Sequence, residues 1–166
     1  MADPTLYNEE EFCNCPASVA FCGVQLGGTD GAVSMDVKYE YKEVKCNQSQ
    51  GNVIKKIVTK ATMTVVAKFM QIDKALTLLL DENKKITGAV IGTDVLAGNG
   101  DDLVLSEIGG TRIHNCKRMK VIKDYKYDVD GENDHGIELT FEGSLDCTNA
   151  DADELYAITS AAAPTG

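Results

Sequence analysis

Two stretches of this chain carry residue types that do chemistry in other settings. Asp128-Val-Asp130-Gly-Glu132-Asn-Asp134 sets carboxylates at alternate positions, as a loop that wraps a hard cation such as calcium would. Its glycine falls at the fourth position rather than the sixth, where a calcium loop of the helix–loop–helix type makes its sharp turn, and no helical pattern flanks it. Asp, Asn and Gly at this density are also the residues of tight turns, so an acidic hairpin turn is the simpler reading. His114 and Cys116 stand two residues apart, which puts both on one face of a strand, as a base beside a thiol would be. No third group that would orient the histidine accompanies them, and His114 reads as a polar residue at a loop edge.

The other signals for a reactive centre are weak. Six cysteines occur, Cys13, Cys15, Cys22, Cys46, Cys116 and Cys147. A structural zinc site wants two clustered pairs of ligands, and only Cys13–Asn14–Cys15 clusters. The expectation is free thiols, several of them buried, with no metal ligands. There is no GxSxG, no P-loop, no GxGxxG after a strand and no HExxH. Catalytic, cofactor-binding and metal-binding residues are therefore expected to be none, and an enzyme ranks last among the readings.

The elements that would position any site are mostly strands. The 166 residues suffice for one domain with a core, and an aromatic content of 6% without tryptophan makes that core aliphatic. Val33, Met35, Val37, Tyr39 and Tyr41 alternate with Asp36, Lys38 and Glu40, and the phase slips by one at Val44 and Cys46, as at a bulge. Residues 47–52, NQSQGN, are turn chemistry, and a long β-prone run follows over 53–69. Ile72 to Leu80 reads as a helix with Ile72, Leu76, Leu79 and Leu80 on one face and Asp73 as N-cap. The glycine-rich stretch 81–110 reads as a projecting hairpin or long loop, with Ala89–Ile91 and Leu103–Leu105 flanking a turn at 98–102. Strands are expected at 33–46, 53–69, 117–128 and 137–146, the last two joined by a hairpin at 131–136. Residues 1–31 read as an arm, 32–147 as the β domain and 148–166 as a tail with one short helical turn.

Charge narrows the classes further. The net charge is −10, and residues 121–166 carry 11 acids against 2 lysines. A basic nucleic-acid-binding face is not supported by that balance. No apolar run approaches membrane-spanning length, and the acidic start MADPTLYNEEEF does not read as a secretory signal.

The order of features resembles a known family. A glycine-rich segment, GVQLGGTDGAVSMDV, leads to the alternating KYEYKEVKC. The turn NQSQGNV follows, then the long strand with IKKIVTKATMTVVAKF, the short helix IDKALTLLL and the final IELTFEGSLD. This pattern, over about residues 23–147, is similar to the tail tube, or major tail, proteins of long-tailed bacteriophages. The cysteine-rich segment 12–22 is not a feature of that family. The resemblance implies a mainly β fold, two packed antiparallel sheets in a tail-tube-like sandwich with one flanking helix and long loops. It implies a structural virion protein: homohexameric rings stacked into a hollow tube with a continuous inner β-barrel that conducts genome DNA. It further implies tail terminator and tail tip proteins as partners and assembly in the host bacterial cytoplasm.

Two expectations refine this picture. A DNA conduit must not bind phosphate, and the polar parity of the last strand, Glu138, Thr140, Glu142, Ser144 and Asp146, holds no base. Glu138, Thr140 and Glu142 are expected to face the lumen, with Lys120, Lys123 and Lys126 on the neighbouring strand able to neutralise them. At least one of the 47–52 turn and the 81–110 segment, the longest polar projections, is expected to touch a neighbouring subunit or ring. The competing readings are a tube subunit of a contractile tail or injection machine, and a metal- or ligand-binding β-sandwich.

Overall fold

The computed structural model describes residues 17–45, 47–49, 51–79, 91–94, 100–108, 111–127, 136–146 and 155–160. The strands are β1 (Ala17–Phe21), β2 (Val24–Gly28), β3 (Ser34–Lys45), β4 (Val53–Phe69), β5 (Asp101–Glu107), β6 (Arg112–Tyr127), β7 (Ile137–Asp146) and β8 (Tyr156–Ser160). One helix, α1 (Ile72–Leu79), follows β4. All eight strands belong to one antiparallel sheet in the order β2-β1-β5-β6-β7-β4-β3, with β8 added to β6.

That sheet folds over on itself, and β6 is where it does so. The first half of β6 pairs with β5 and β8, and its second half pairs with β7. Between the halves Arg118 takes a left-handed φ of 60°. Two glycines make room for this corner. A Cβ on Gly100 would lie 2.5 Å from the Arg118 carbonyl group, and one on Gly143 would lie 3.1 Å from the same oxygen. Backbone passes where a side chain cannot fit.

Phe21 on β1 and Phe141 on β7 lie three strands apart along the sheet. In a flat sheet that separation would be roughly 14 Å at ~4.8 Å per strand. Their ring centroids are 5.2 Å apart, so the β1–β5 half has closed over the β7–β4 half. The two packed sheets expected from the sequence are thus two halves of a single sheet around one core.

The core is built by alternation. Met63, Val65, Ala67 and Phe69 of β4 are buried, as are Ile137, Leu139 and Phe141 of β7. Leu139 and Phe141 point inward as the sequence phase requires. From the other half come Val19, Leu26, Leu103, Leu105 and Cys116. α1 adds buried Ala75, with Leu76 and Leu78 packed beside the core. Of the expected helix face, Leu76 packs beside the core, while the side chains of Ile72 and Leu79, like Leu80, lie outside the described residues. Asp73 lies inside the first turn rather than at the cap, since the Gln71 carbonyl already accepts from the Ala75 N–H.

Several expectations are corrected. Residues 17–28 are not an arm; they form β1 and β2, and Val19 is fully buried. Leu103–Leu105 is not the side of a projecting hairpin. It is part of β5, an interior strand paired with β1 at Leu105↔Val19 and with β6 at Leu105↔His114. β6 begins at Arg112, five residues before position 117. Residues 156–160 form β8, paired with β6 at Tyr156↔Cys116, and not a helical turn in a tail. The acidic segment 128–134, Leu80, His135 and Cys13, Cys15, Cys46 and Cys147 lie outside the described residues. So does most of the 81–99 stretch. Among the described residues no helix is long and apolar enough to cross a membrane.

Candidate functional site

Three features of the β6–β7–β4–β3 half could serve a structural role. The first is its outer face, the side turned away from the core. Alternation along β7 buries Ile137, Leu139 and Phe141, so Glu138, Thr140 and Glu142 stand on the opposite side. Glu138 is exposed, and Thr140 and Glu142 are half-buried. Strand register sets their neighbours. Glu138 lies between Lys68 of β4 and Lys126 of β6. Glu142 lies between Thr64 and Lys120, and Thr140 between Val66 and Ile122. The base-free column of β7 is thus flanked by lysines on both sides, and opposite charges directly across strands favour this register. Lys68 also reaches Asp30 at 3.0 Å. Lys123 falls in the irregularity between Ile122 and Lys126 and has no partner position on β7.

The second feature is a pair of open edges. Beyond Met119, β6 has β7 on one side and no strand on the other among the described residues. At the far side of this half, β3 pairs only with β4 among the described residues. Each edge leaves a row of backbone N–H and C=O groups available to a further strand.

The third is the β3–β4 hairpin, which runs out beyond the core. The inward parity of β3 is Met35, Val37, Tyr39 and Tyr41. Met35 and Val37 lie opposite buried Val65 and Met63, yet are themselves 38% and 42% exposed. Tyr39 and Tyr41 are more exposed still, their rings 6.5 Å apart on one face. Val58, opposite Tyr41, is 52% exposed. A register shift between Glu40 and Tyr41, where Lys60 and Val58 oppose successive β3 residues, bulges β4 here. The slip read at Val44 also appears, as a second shift between Val44 and Lys45, and 47–49 form a single 3-10 turn.

The candidate chemistry at His114 and Cys116 does not assemble. Cys116 is fully buried among apolar neighbours, and burial pushes its thiol up to about 11. His114 turns instead to Tyr156, whose hydroxyl lies 2.7 Å from Nδ1, and to Glu107, whose carboxylate lies 3.1 Å from Nε2. With the proton on Nε2, that nitrogen donates to Glu107 while Nδ1 accepts from the Tyr156 hydroxyl. The three side chains pin β8 and β5 to β6. Burial raises the Tyr156 hydroxyl, which keeps it a donor. Reading the sequence missed this cluster because Tyr156 was placed in a tail. Cys22, in the exposed β1–β2 turn, is a free thiol raised by its hydrogen bond to Asp101. Among the described residues no group of three or more His, Cys, Asp or Glu is placed to hold a metal.

No family model matches the chain, and no curated protein does. Solved structures do resemble it. A chain of the extended sheath–tube complex of an extracellular contractile injection system is 13% identical, over 87% of this chain and 88% of that one, with a TM-score of 0.44. A chain of the cap that terminates the tube of the anti-feeding prophage is 11% identical over 97% and 98%, with a TM-score of 0.49. A chain of a native gene transfer agent virion is 13% identical over 88% and 95%, with a TM-score of 0.43. All three scores lie below 0.5.

Proposed function

We propose that this protein is a structural subunit that assembles through its sheet edges into the hollow tail tube of a long-tailed bacteriophage. The observation that carries the reading is the half-sheet β6–β7–β4–β3 with both lateral edges unpaired among the described residues. An isolated protein with such edges would be prone to uncontrolled pairing, and ring closure removes the edges altogether. Pairing the β3 edge of one copy with the β6 edge of the next is a head-to-tail contact, and such a contact closes into rings when the rotation permits. The order of sequence features that resembles tail tube proteins supports the same reading. Homohexameric rings, stacking into a tube, tail terminator and tail tip partners, and a place in the virion belong to it as well.

In such a ring the outer face of this half-sheet lines the channel, because the other face is committed to the core. Glu138, Thr140 and Glu142 then meet passing DNA. The flanking Lys68 and Lys120 keep the wall hydrophilic but reduce its net repulsion of phosphate. Negative-stain microscopy of the concentrated protein tests the assembly: rings or hollow filaments are expected, and monomers throughout would overturn it. Within assembled tubes, Glu138→Lys with Glu142→Lys should produce salt-sensitive retention of DNA that the wild type lacks. Locating both side chains on the tube exterior would remove the lumen assignment.

A further inference from the structure

The chain carries 26 acids against 16 lysines and arginines, yet the outer face of the β6–β7–β4–β3 half does not share that excess. Each carboxylate that alternation sets on this face, from Asp36 to Glu40 on β3 and from Glu138 to Glu142 on β7, has a lysine of its own. Register puts Glu138 directly across from Lys68, Glu142 across from Lys120 and Glu40 across from Lys60. Asp36 lies across from Thr64 and takes Lys38, two residues along the same strand face, at 3.3 Å. The pairs draw on all four strands, and the positions between them include the uncharged, hydrogen-bonding Thr62, Thr64, Thr140 and Ser144. Asp30, in the segment before β3, adds a carboxylate 3.0 Å from Lys68. Farther out on the hairpin the same face adds Lys42 and Lys55, so it gains no acidic excess towards the tip.

We infer that these lysines are the specificity-determining residues of the face: they cancel its carboxylates pair by pair and make the channel wall hydrophilic but blind to the sign of the charge that passes it. The inference rests on the lumen reading above and goes beyond it by saying what the wall does to duplex DNA. Opposite charges set across strands favour one another's company, and a pair so close is nearly neutral from beyond about 8 Å at physiological salt. DNA is held by a surface in proportion to the phosphates that net cations neutralise, and matched pairs offer no net cation. Carboxylates alone would instead repel the duplex and oppose its entry. The matched wall does neither. Loss of the lysines leaves an acidic wall that resists DNA, and loss of the acids leaves a basic wall that retains it.

The test reads the charge of the wall directly. Thr140 lies on this face between the Glu138–Lys68 and Glu142–Lys120 pairs, so Thr140→Cys in a Cys22→Ser background is the reporter. Its rates with an anionic and a cationic methanethiosulfonate of similar size are measured at roughly 150 mM salt. Each rate is divided by that of a small free thiol, and the modified peptide is identified by mass. The two normalised rates are expected to agree within about threefold, and a stronger preference for either sign overturns the inference. Lys68→Gln with Lys120→Gln should shift the ratio at least about threefold towards the cationic reagent, and Glu138→Gln with Glu142→Gln as far towards the anionic one. Failure of either pair of substitutions to move it also overturns the inference. Val66→Cys, across from Thr140, is the second reporter if the first disturbs the strand. The rates are read in dispersed protein and in assembled tubes. Tubes whose reporter keeps a charge preference sink this inference alone. A neutral reporter in protein that forms no tubes, or on a tube exterior, sinks the lumen reading and leaves the neutral face standing.

Discussion

The two ends of β4 are made of the same kinds of residue and live in different environments. From Met63 to Phe69 every second side chain is buried, Val65 completely. From Val53 to Val58 the strand is as apolar, yet Ile54 is 57% and Val58 52% exposed. Alternation of polar and apolar residues defines which way a side chain points. Whether anything lies in that direction depends on where the folded-over half of the sheet ends. β1, β5 and the first half of β6 cover the later part of β4, and the hairpin end is left over. An apolar stripe that a single copy leaves uncovered marks a surface made for something else.

This contrast can be broken most forcefully at its packed end. Phe141→Ala removes a ring that touches both Phe21 and Phe69, and should cost about 3–5 kcal/mol in chemical denaturation. A cost near zero would mean that the two halves do not close on each other. Next comes the corner that brings the halves together. Gly100→Ala puts a methyl against the Arg118 carbonyl at a residue with φ +70°, and should destabilise by roughly 1–3 kcal/mol in the same measurement. An unperturbed midpoint would show that β6 turns elsewhere.

The comparison is sharpest when one substitution is made at both ends. Val65→Thr places a hydroxyl in the core and should cost about 1–3 kcal/mol. Val58→Thr, at an exposed position, should stay within about 0.5 kcal/mol for the monomer. Equal effects at the two sites would erase the distinction between covered and uncovered β4.

The smallest effect is read from the thiols. Below the ordinary thiol value of 9.0, the buried, neutral Cys116 adds its full stabilisation, and this is lost as pH rises through about 11. Of the two described thiols, Cys22 should therefore react with a thiol reagent at pH 8 in the native protein, while Cys116 should react only on unfolding. Prompt labelling of Cys116 would show that the core beside β8 is open.

Much of the fold could be read from residue order where alternation was long. β3, β4 and β7 lie within one residue of their expected bounds, and the helix starts at the expected Ile72. The errors share a cause. β1, β2, β5 and β8 are five to seven residues long, too short for alternation to stand out against glycine and polar neighbours. Gly27 and Gly28, read as part of an arm, end a strand, and Val19 beside them is at the centre of the core. The site was half readable. The face of Glu138, Thr140 and Glu142 followed from the parity of β7, but the lysines beside them come from Lys68 and Lys126, 70 and 12 positions away.

By itself, then, the sequence determined the β class, the phase of the long strands, the turn between β3 and β4, and the acidic character of the whole, because each depends on neighbours within a few residues. Tertiary structure decided that two expected sheets are one, that the fold turns at Arg118 between Gly100 and Gly143, and that β4 is covered at one end only. Those outcomes depend on pairings such as Phe21 with Phe141 and Tyr156 with His114, made across 120 and 42 residues. Local patterning carries no record of which distant strand arrives, so the uncovered stripe on the hairpin becomes visible only after the chain has folded.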